Sequence, residues 1–149
     1  MNNLTIRKAK IGDAPRVAEL SGMLGYPVQG EVMKSRLEQL LMRDEHVVFV
    51  AEGTPGDVVG WIHAAEQDIL EAGRVCEIWG MVVAEGERGC GLGRRLIEAV
   101  EQWALIRGLD QISVRSNVVR AESHPFYERM GYSKFKTQHV YRKRLDPHR

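Results

Sequence analysis

Apolar and polar residues alternate over Leu4-Thr-Ile6-Arg-Lys, the period of a strand buried on one face. The period then lengthens. Ala14, Val17, Ala18, Ser21 and Leu24 recur at three- and four-residue spacing, which predicts a helix capped by Asp13, with Pro15 in its first turn and Gly25-Tyr26-Pro27 ending it. A second helix is predicted from about Gln29 to Arg43, with Val32, Met33, Leu37, Leu40 and Leu41 on its buried face. Strand patterns return at Val47–Ala51 and from Val58 to Ala64, joined by the turn chemistry of Thr54-Pro-Gly-Asp57, and again from Arg74 to Val83. An amphipathic helix from about Gly91 to Arg107 stops at Gly108 and is followed by a strand at Ile112-Ser-Val-Arg115. A helix carrying Phe126-Tyr127 and a last strand, its end marked by Arg142-Lys-Arg144, complete the pattern. This order predicts one α/β domain over residues 1–149, with a sheet antiparallel in its first half and parallel later.

Composition narrows the class. The 149 residues are 44% hydrophobic and 28% charged, enough for a real core. With 21 basic and 20 acidic side chains nearly cancelling, nothing points to nucleic acid or an anionic membrane as partner. No apolar run approaches the roughly 20 residues needed to cross a bilayer, and Met1-Asn-Asn-Leu-Thr lacks the features of a signal peptide, so a cytoplasmic protein is expected. Cys76 and Cys90 make no disulfide framework, and His46, His63, His124, His139 and His148 lack metal-ligand spacing, so no metal is expected.

The chemistry concentrates at Val82-Val83-Ala84-Glu85-Gly86-Glu87-Arg88-Gly89-Cys90-Gly91-Leu92-Gly93-Arg94. There an apolar strand empties into a glycine-rich turn and then a helix. Glycines let an anion approach the backbone, and the unpaired amides and partial positive charge of the helix start attract it. A dinucleotide fingerprint fails, because the sixth position counted from Gly91 is Leu96 and from Gly89 is Arg94. A nucleoside-triphosphate loop fails too, since Gly93 precedes Arg94-Arg95. What remains, Arg88-Gly-Cys-Gly91-Leu-Gly93, resembles the pyrophosphate-binding motif of the GNAT superfamily of N-acetyltransferases. The strand ending at Val83, the strand at 112–115 followed by Asn117, and the segment Ser123-His-Pro-Phe-Tyr127-Glu-Arg-Met-Gly131-Tyr132 resemble the family in order and spacing. Glu85, where a proline is common, is a small departure that removes no phosphate donor.

The resemblance implies a GNAT-like fold, a mixed central sheet with splayed central strands and flanking helices, and acetyl-CoA as co-substrate. It implies main-chain contacts from Met81, Val82 and Val83 to the acetyl and pantetheine groups, phosphate contacts from Arg88 to Arg94, and a pantetheine contact from Asn117. Tyr127 matches the family tyrosine that donates to the departing sulfur, and Glu77 stands where some members carry a general base. Strand parity places Glu77, Trp79, Met81 and Val83 on one face, and an ion pair with a basic residue such as Arg115 is the alternative role for Glu77. Tyr26, Trp61, His63 and Trp79 are candidates for the acceptor site, and Glu66, Asp68 and Glu71 are the acids that could meet a polycation. The implied activity is transfer of acetyl to a primary amine of a small molecule, in a family where homodimers are common. A peptide or protein N-terminal or lysine acetyltransferase, or an acetyl-CoA-binding sensor, is the alternative.

Overall fold

The computed structural model describes residues 4–23, 25–87, 89–115 and 123–146. In a first compact unit, Met1–Arg115, five strands follow chain order across one sheet. They are β1 (Thr5–Lys8), β2 (His46–Glu52), β3 (Val58–Ile69), β4 (Gly73–Val83) and β5 (Ile112–Val114). β1 pairs antiparallel with β2 after a connection that carries two helices, and short turns join β2 to β3 and β3 to β4, also antiparallel. Between β4 and β5 the chain returns through α3 (Leu92–Ile106), a crossover long enough for parallel pairing. The mixed sheet is the one the residue pattern predicts.

The parallel pairing is short. Cys76, Glu77 and Ile78 lie opposite Ile112, Ser113 and Val114, whereas β4 continues to Val83. Among the described residues of this unit, Trp79 to Val83 have no strand on their β5 edge, so the two strands part.

Each sheet face has its own cover. On one side α1 (Ala14–Met23) and α2 (Gly30–Leu41) bring Val17, Leu20 and Leu37 against Val48, Val50 and Val82. On the other lies α3, whose Leu92 and Leu96 come within 3.4 Å of the position a Cβ would take on Gly60. Only a glycine fits there, because that Cβ would also stand 3.1 Å from the Val82 carbonyl oxygen.

Two helix expectations change. Asp13 sits in a 3-10 turn (Ile11–Asp13) before α1, and its carboxylate accepts from the Lys10 amide at 2.8 Å and from both terminal nitrogens of Arg7. Arg7 also bonds Glu52, so one guanidinium ties β1, the entry to α1 and the end of β2 together. On α2, Val32 and Leu41 are each 39% exposed, and the buried line is Met33, Leu37 and Leu40. Val32 and Leu41 each directly neighbour a residue of that line, about 100° around the helix, which swings them off the contact.

The second unit, Ser116–Arg149, holds α4 (Ser123–Arg129). It ends where the Tyr132 amide donates to the Tyr127 carbonyl at 3.0 Å and the Gly131 amide to that of Glu128, with Gly131 at φ 93°. The expected last strand is absent from the described residues: 132–146 carry no regular secondary structure. A strand exists only against a neighbour, and none of the described strands pairs with this segment.

The core of the first unit makes a direct prediction. Leu96 is fully buried, while Leu105 on the same helix is 62% exposed. Leu96→Ala should cost about 2–5 kcal/mol in urea unfolding and Leu105→Ala at most about 0.5; equal costs would contradict the packing.

Candidate active site

The site begins with one extra residue. His63 lies opposite Gly80 but Ala64 lies opposite Ile78, so Trp79 is a β-bulge in β4. The indole of Trp61 lies over Gly80, 3.2 Å from where a Cβ would stand, so the strand can turn here only with glycine following the bulge. The bulge overturns the expected parity. Glu77 shares its face with Val82, Trp61 and His63, whereas Met81 and Val83 point to the α3 side with Ile62 and Gly60.

Glu77 is 5% exposed and ion-paired with Arg115, just beyond β5. The Arg115 guanidinium also lies 5.7 Å from the ring centre of Trp79, which the bulge leaves 46% exposed. The structure thus brings Glu77, Trp79 and Arg115 together and forms the ion pair named as the alternative role of Glu77. Trp61 is partly buried against the α1–α2 core, and its Nε1 is buried with no hydrogen-bond partner among the described residues. Tyr26 follows α1, 60% exposed. Its amide closes that helix by donating to the Ser21 carbonyl.

His63 is half-buried on the same face as Glu77, and its Nε2 lies 3.0 Å from Nδ1 of His46, with the rings stacked at 5.2 Å. Burial, helped by the His46 charge, pushes His63 down from 6.5 to about 4. His46 is lowered as well, again by burial. Of the acids considered for a cationic acceptor, Glu66 is held by Arg74 at 2.6 Å and Arg107 at 2.9 Å. It lies opposite Cys76, on the face away from Glu77.

Past the bulge the main chain faces two ways. The Ala84 amide donates to the Val59 carbonyl at 2.8 Å, which assigns the polar groups of Ala84 and Val82 to the β3 ladder. By strand alternation those of Met81 and Val83 point to the edge from which β5 has parted. A 3-10 turn at Glu85–Glu87 follows, and the Cys90 thiol fixes the next bend by donating to the Glu87 carbonyl. Gly89 and Gly91 take φ of 85° and 82°, which side-chain-bearing residues rarely adopt, and a Cβ on either would meet nothing within 4 Å. The first helical bond of α3 runs from the Arg95 amide to the Gly91 carbonyl, so helix geometry provides the amides of Leu92, Gly93 and Arg94 with no carbonyl. No acidic residue stands in this first turn. An anion is the chemistry such a turn accepts.

In the second unit Tyr127 is partly buried, edge-on to Phe126 at 5.2 Å and to Tyr132 at 6.3 Å. Arg88 and Asn117 lie outside the described residues.

A β-bulge, a free β4 edge and a glycine turn opening a helix form the frame of a known family, and residues 16–132 match the model of the acetyltransferase (GNAT) family. The chain belongs to that family. As a GNAT member it is an acetyl-CoA-dependent acyltransferase. It is similar to an aminoglycoside N(6')-acetyltransferase of Stenotrophomonas maltophilia, at 28% identity over 147 residues covering 96% of this chain and 95% of that protein. Among solved structures, aminoglycoside N-acetyltransferase AAC(6')-Iy in complex with CoA shares the fold, with a TM-score of 0.87, 19% identity and 97% of each chain covered. Glucosamine-6-phosphate N-acetyltransferase from Arabidopsis thaliana matches with a TM-score of 0.80 and 25% identity, covering 97% of this chain and 99% of that one. Among the described residues of this GNAT chain, no helix is long and apolar enough to cross a membrane.

His46 is the site neighbour that periodicity missed. The turn at 54–57 sets a hairpin register in which His46 and His63 become diagonal neighbours, and that register was the available signal.

The histidine pair makes stability depend on pH. Above about pH 7 His63 is neutral in both folded and unfolded chains. As pH falls, the unfolded chain protonates first, near 6.5, while the folded value lies near 4, so stability drops through that window. Urea unfolding should lose on the order of 2 kcal/mol between about pH 7 and pH 5, and His63→Gln should remove much of that slope. An unchanged slope in the variant would contradict the burial of His63.

Proposed function

We propose that this GNAT enzyme transfers acetyl directly from acetyl-CoA to a primary amine of a small molecule within a ternary complex. The observation that carries the reading is the edge of β4, where Met81 and Val83 turn their main-chain groups outward immediately before the glycine turn. A thioester carbonyl laid along that edge meets an amide donor, and the amides of Leu92, Gly93 and Arg94 meet the pyrophosphate. In this arrangement the Val82 side chain is core and the roles of Met81 and Val83 fall on main chain.

Attack requires a neutral amine. Glu77, held in place by Arg115, takes the ammonium proton through a water, because its carboxylate is too buried to meet a bulky acceptor directly. Trp79 lies against the same Arg115, and Trp61, Tyr26 and His63 complete the acceptor side. Tyr127 donates to the departing sulfur, while Arg88 and Asn117 add contacts to the coenzyme. The aminoglycoside acetyltransferases among the relatives support an amine acceptor of modest size. A single catalytic domain working in the cytoplasm as a homodimer belongs to the same reading.

The test is release of free CoA across amino acids, polyamines, aminoglycosides, amino sugars and short peptides, each product confirmed by mass. With the best small amine, Tyr127→Phe and Glu77→Gln should each lower kcat by about 100-fold or more, with KM for acetyl-CoA changing little. Full turnover in Tyr127→Phe would remove the acid from the scheme, and turnover of peptides alone would replace the acceptor class.

A further inference from the structure

We propose that His63 and His46 form a proton relay, carrying to solvent the proton that Glu77 takes from the acceptor. The inference rests on the acetyl-transfer reading above and goes beyond it by giving the buried base a route for its reset.

The reaction itself requires an exit. An ammonium and a thioester give an amide, a thiol and one free proton: the C–S bond breaks and the C–N bond forms. Of the two protons the nitrogen loses, one ends on sulfur and the other on the base. Glu77 must release that second proton once per turnover. Its carboxylate is buried and bonded to Arg115, so it has little direct contact with solvent.

The sheet supplies a path. Register puts His46, Ala65, Glu77 and Ser113 in one row across β2, β3, β4 and β5, on the face under α1 and α2. His63 stands one row along, between Val48 and Gly80, and is therefore diagonal to both His46 and Glu77. Residues so placed stand about 7–8 Å apart, their Cβ atoms somewhat less, and the relay takes one water to bridge carboxylate and imidazole. Between them, in the middle of the row, Ala65 contributes only a methyl group.

From His63 onward the route is direct. A proton received at Nδ1 of His63 allows the one on Nε2 to pass to Nδ1 of His46, 3.0 Å away. His46 lies at the start of β2 and is only partly buried, so its Nε2 can discharge to water. The two rings face each other, and Glu77, paired with Arg115, lies one row along on the same face of the sheet. Glu45 and Arg43 flank His46 with opposite effects, and the helices above contribute the apolar Val17, Leu20 and Leu37. Both rings are held neutral by burial, so each passes a proton without storing it. Val48, Val50, Trp61 and Val82 are apolar residues of the same face.

Two readouts on the full chain test the relay. In histidine-labelled protein, 15N NMR should show one N–H shared between unlike ring nitrogens of His46 and His63, and Glu77→Gln should shift the His63 ring signals. With neamine as acceptor, His63→Gln and the more exposed His46→Gln should each lower kcat about tenfold, the latter at unchanged KM, and free imidazole should restore part of it. His63 signals indifferent to Glu77→Gln, or both variants turning over normally without imidazole while Glu77→Gln is impaired, would overturn the relay alone. Normal turnover in Glu77→Gln would instead overturn the role of Glu77 on which it rests.

Discussion

At Trp79, β4 takes one residue more than the strand beside it, and the rest of the site follows from that insertion. Before the bulge, β4 is a buried strand paired on both edges. After it, the strand keeps β3 and, among the described residues, loses β5, so peptide groups that a continuous sheet would consume have no strand beside them. The same insertion turns Glu77 toward α1 and α2 and pushes Trp79 outward. Gly80 permits this because the Trp61 ring fills the space a side chain would need. A β-bulge of this kind costs ladder hydrogen bonds, and the buried flanks Ile62, Ala64 and Ile78 hold it in place.

Charge is arranged to support the same geometry. One buried and three partly buried carboxylates of the first unit are matched to arginines: Glu77 to Arg115, Asp13 and Glu52 to Arg7, and Glu66 to Arg74 and Arg107. The glycine turn has the opposite character, with amides free of carbonyl partners, no acid in the first turn of α3, and Arg94 half exposed beside it. A carboxylate held before the bulge and a glycine turn beyond the end of β4 bracket the segment from Trp79 to Val83. In the proposed reaction the first serves the amine and the second the coenzyme.

Much of this was legible in the residues because it depends on period and on glycine. The strands from Leu4, Val47, Val58 and Arg74 and the helix from Gly91 came from two simple repeats, and the family resemblance from the turn at 88–93. The bulge was not legible, since alternation along Glu77, Trp79, Met81 and Val83 continues through it unbroken and only tertiary contact with Trp61 reveals it. That Glu66 is held by Arg74 and Arg107 on the face away from Glu77 was not legible, because face and partner depend on register, which composition does not contain. Val32 and Leu41 are apolar yet sit at the margin of their stripe, and the last segment has strand-like residues but no paired neighbour among those described.

The most direct test of the account is an amide-resolved 1H–15N NMR titration of the full chain with CoA. The bulge and turn predict the largest shifts at Met81, Val83 and the amides from Gly89 to Arg94, with Val82 and the β1–β2 pair moving little. Shifts that spare Met81 and Val83 while CoA still binds would contradict the claim that the parting of β4 from β5 makes the coenzyme site.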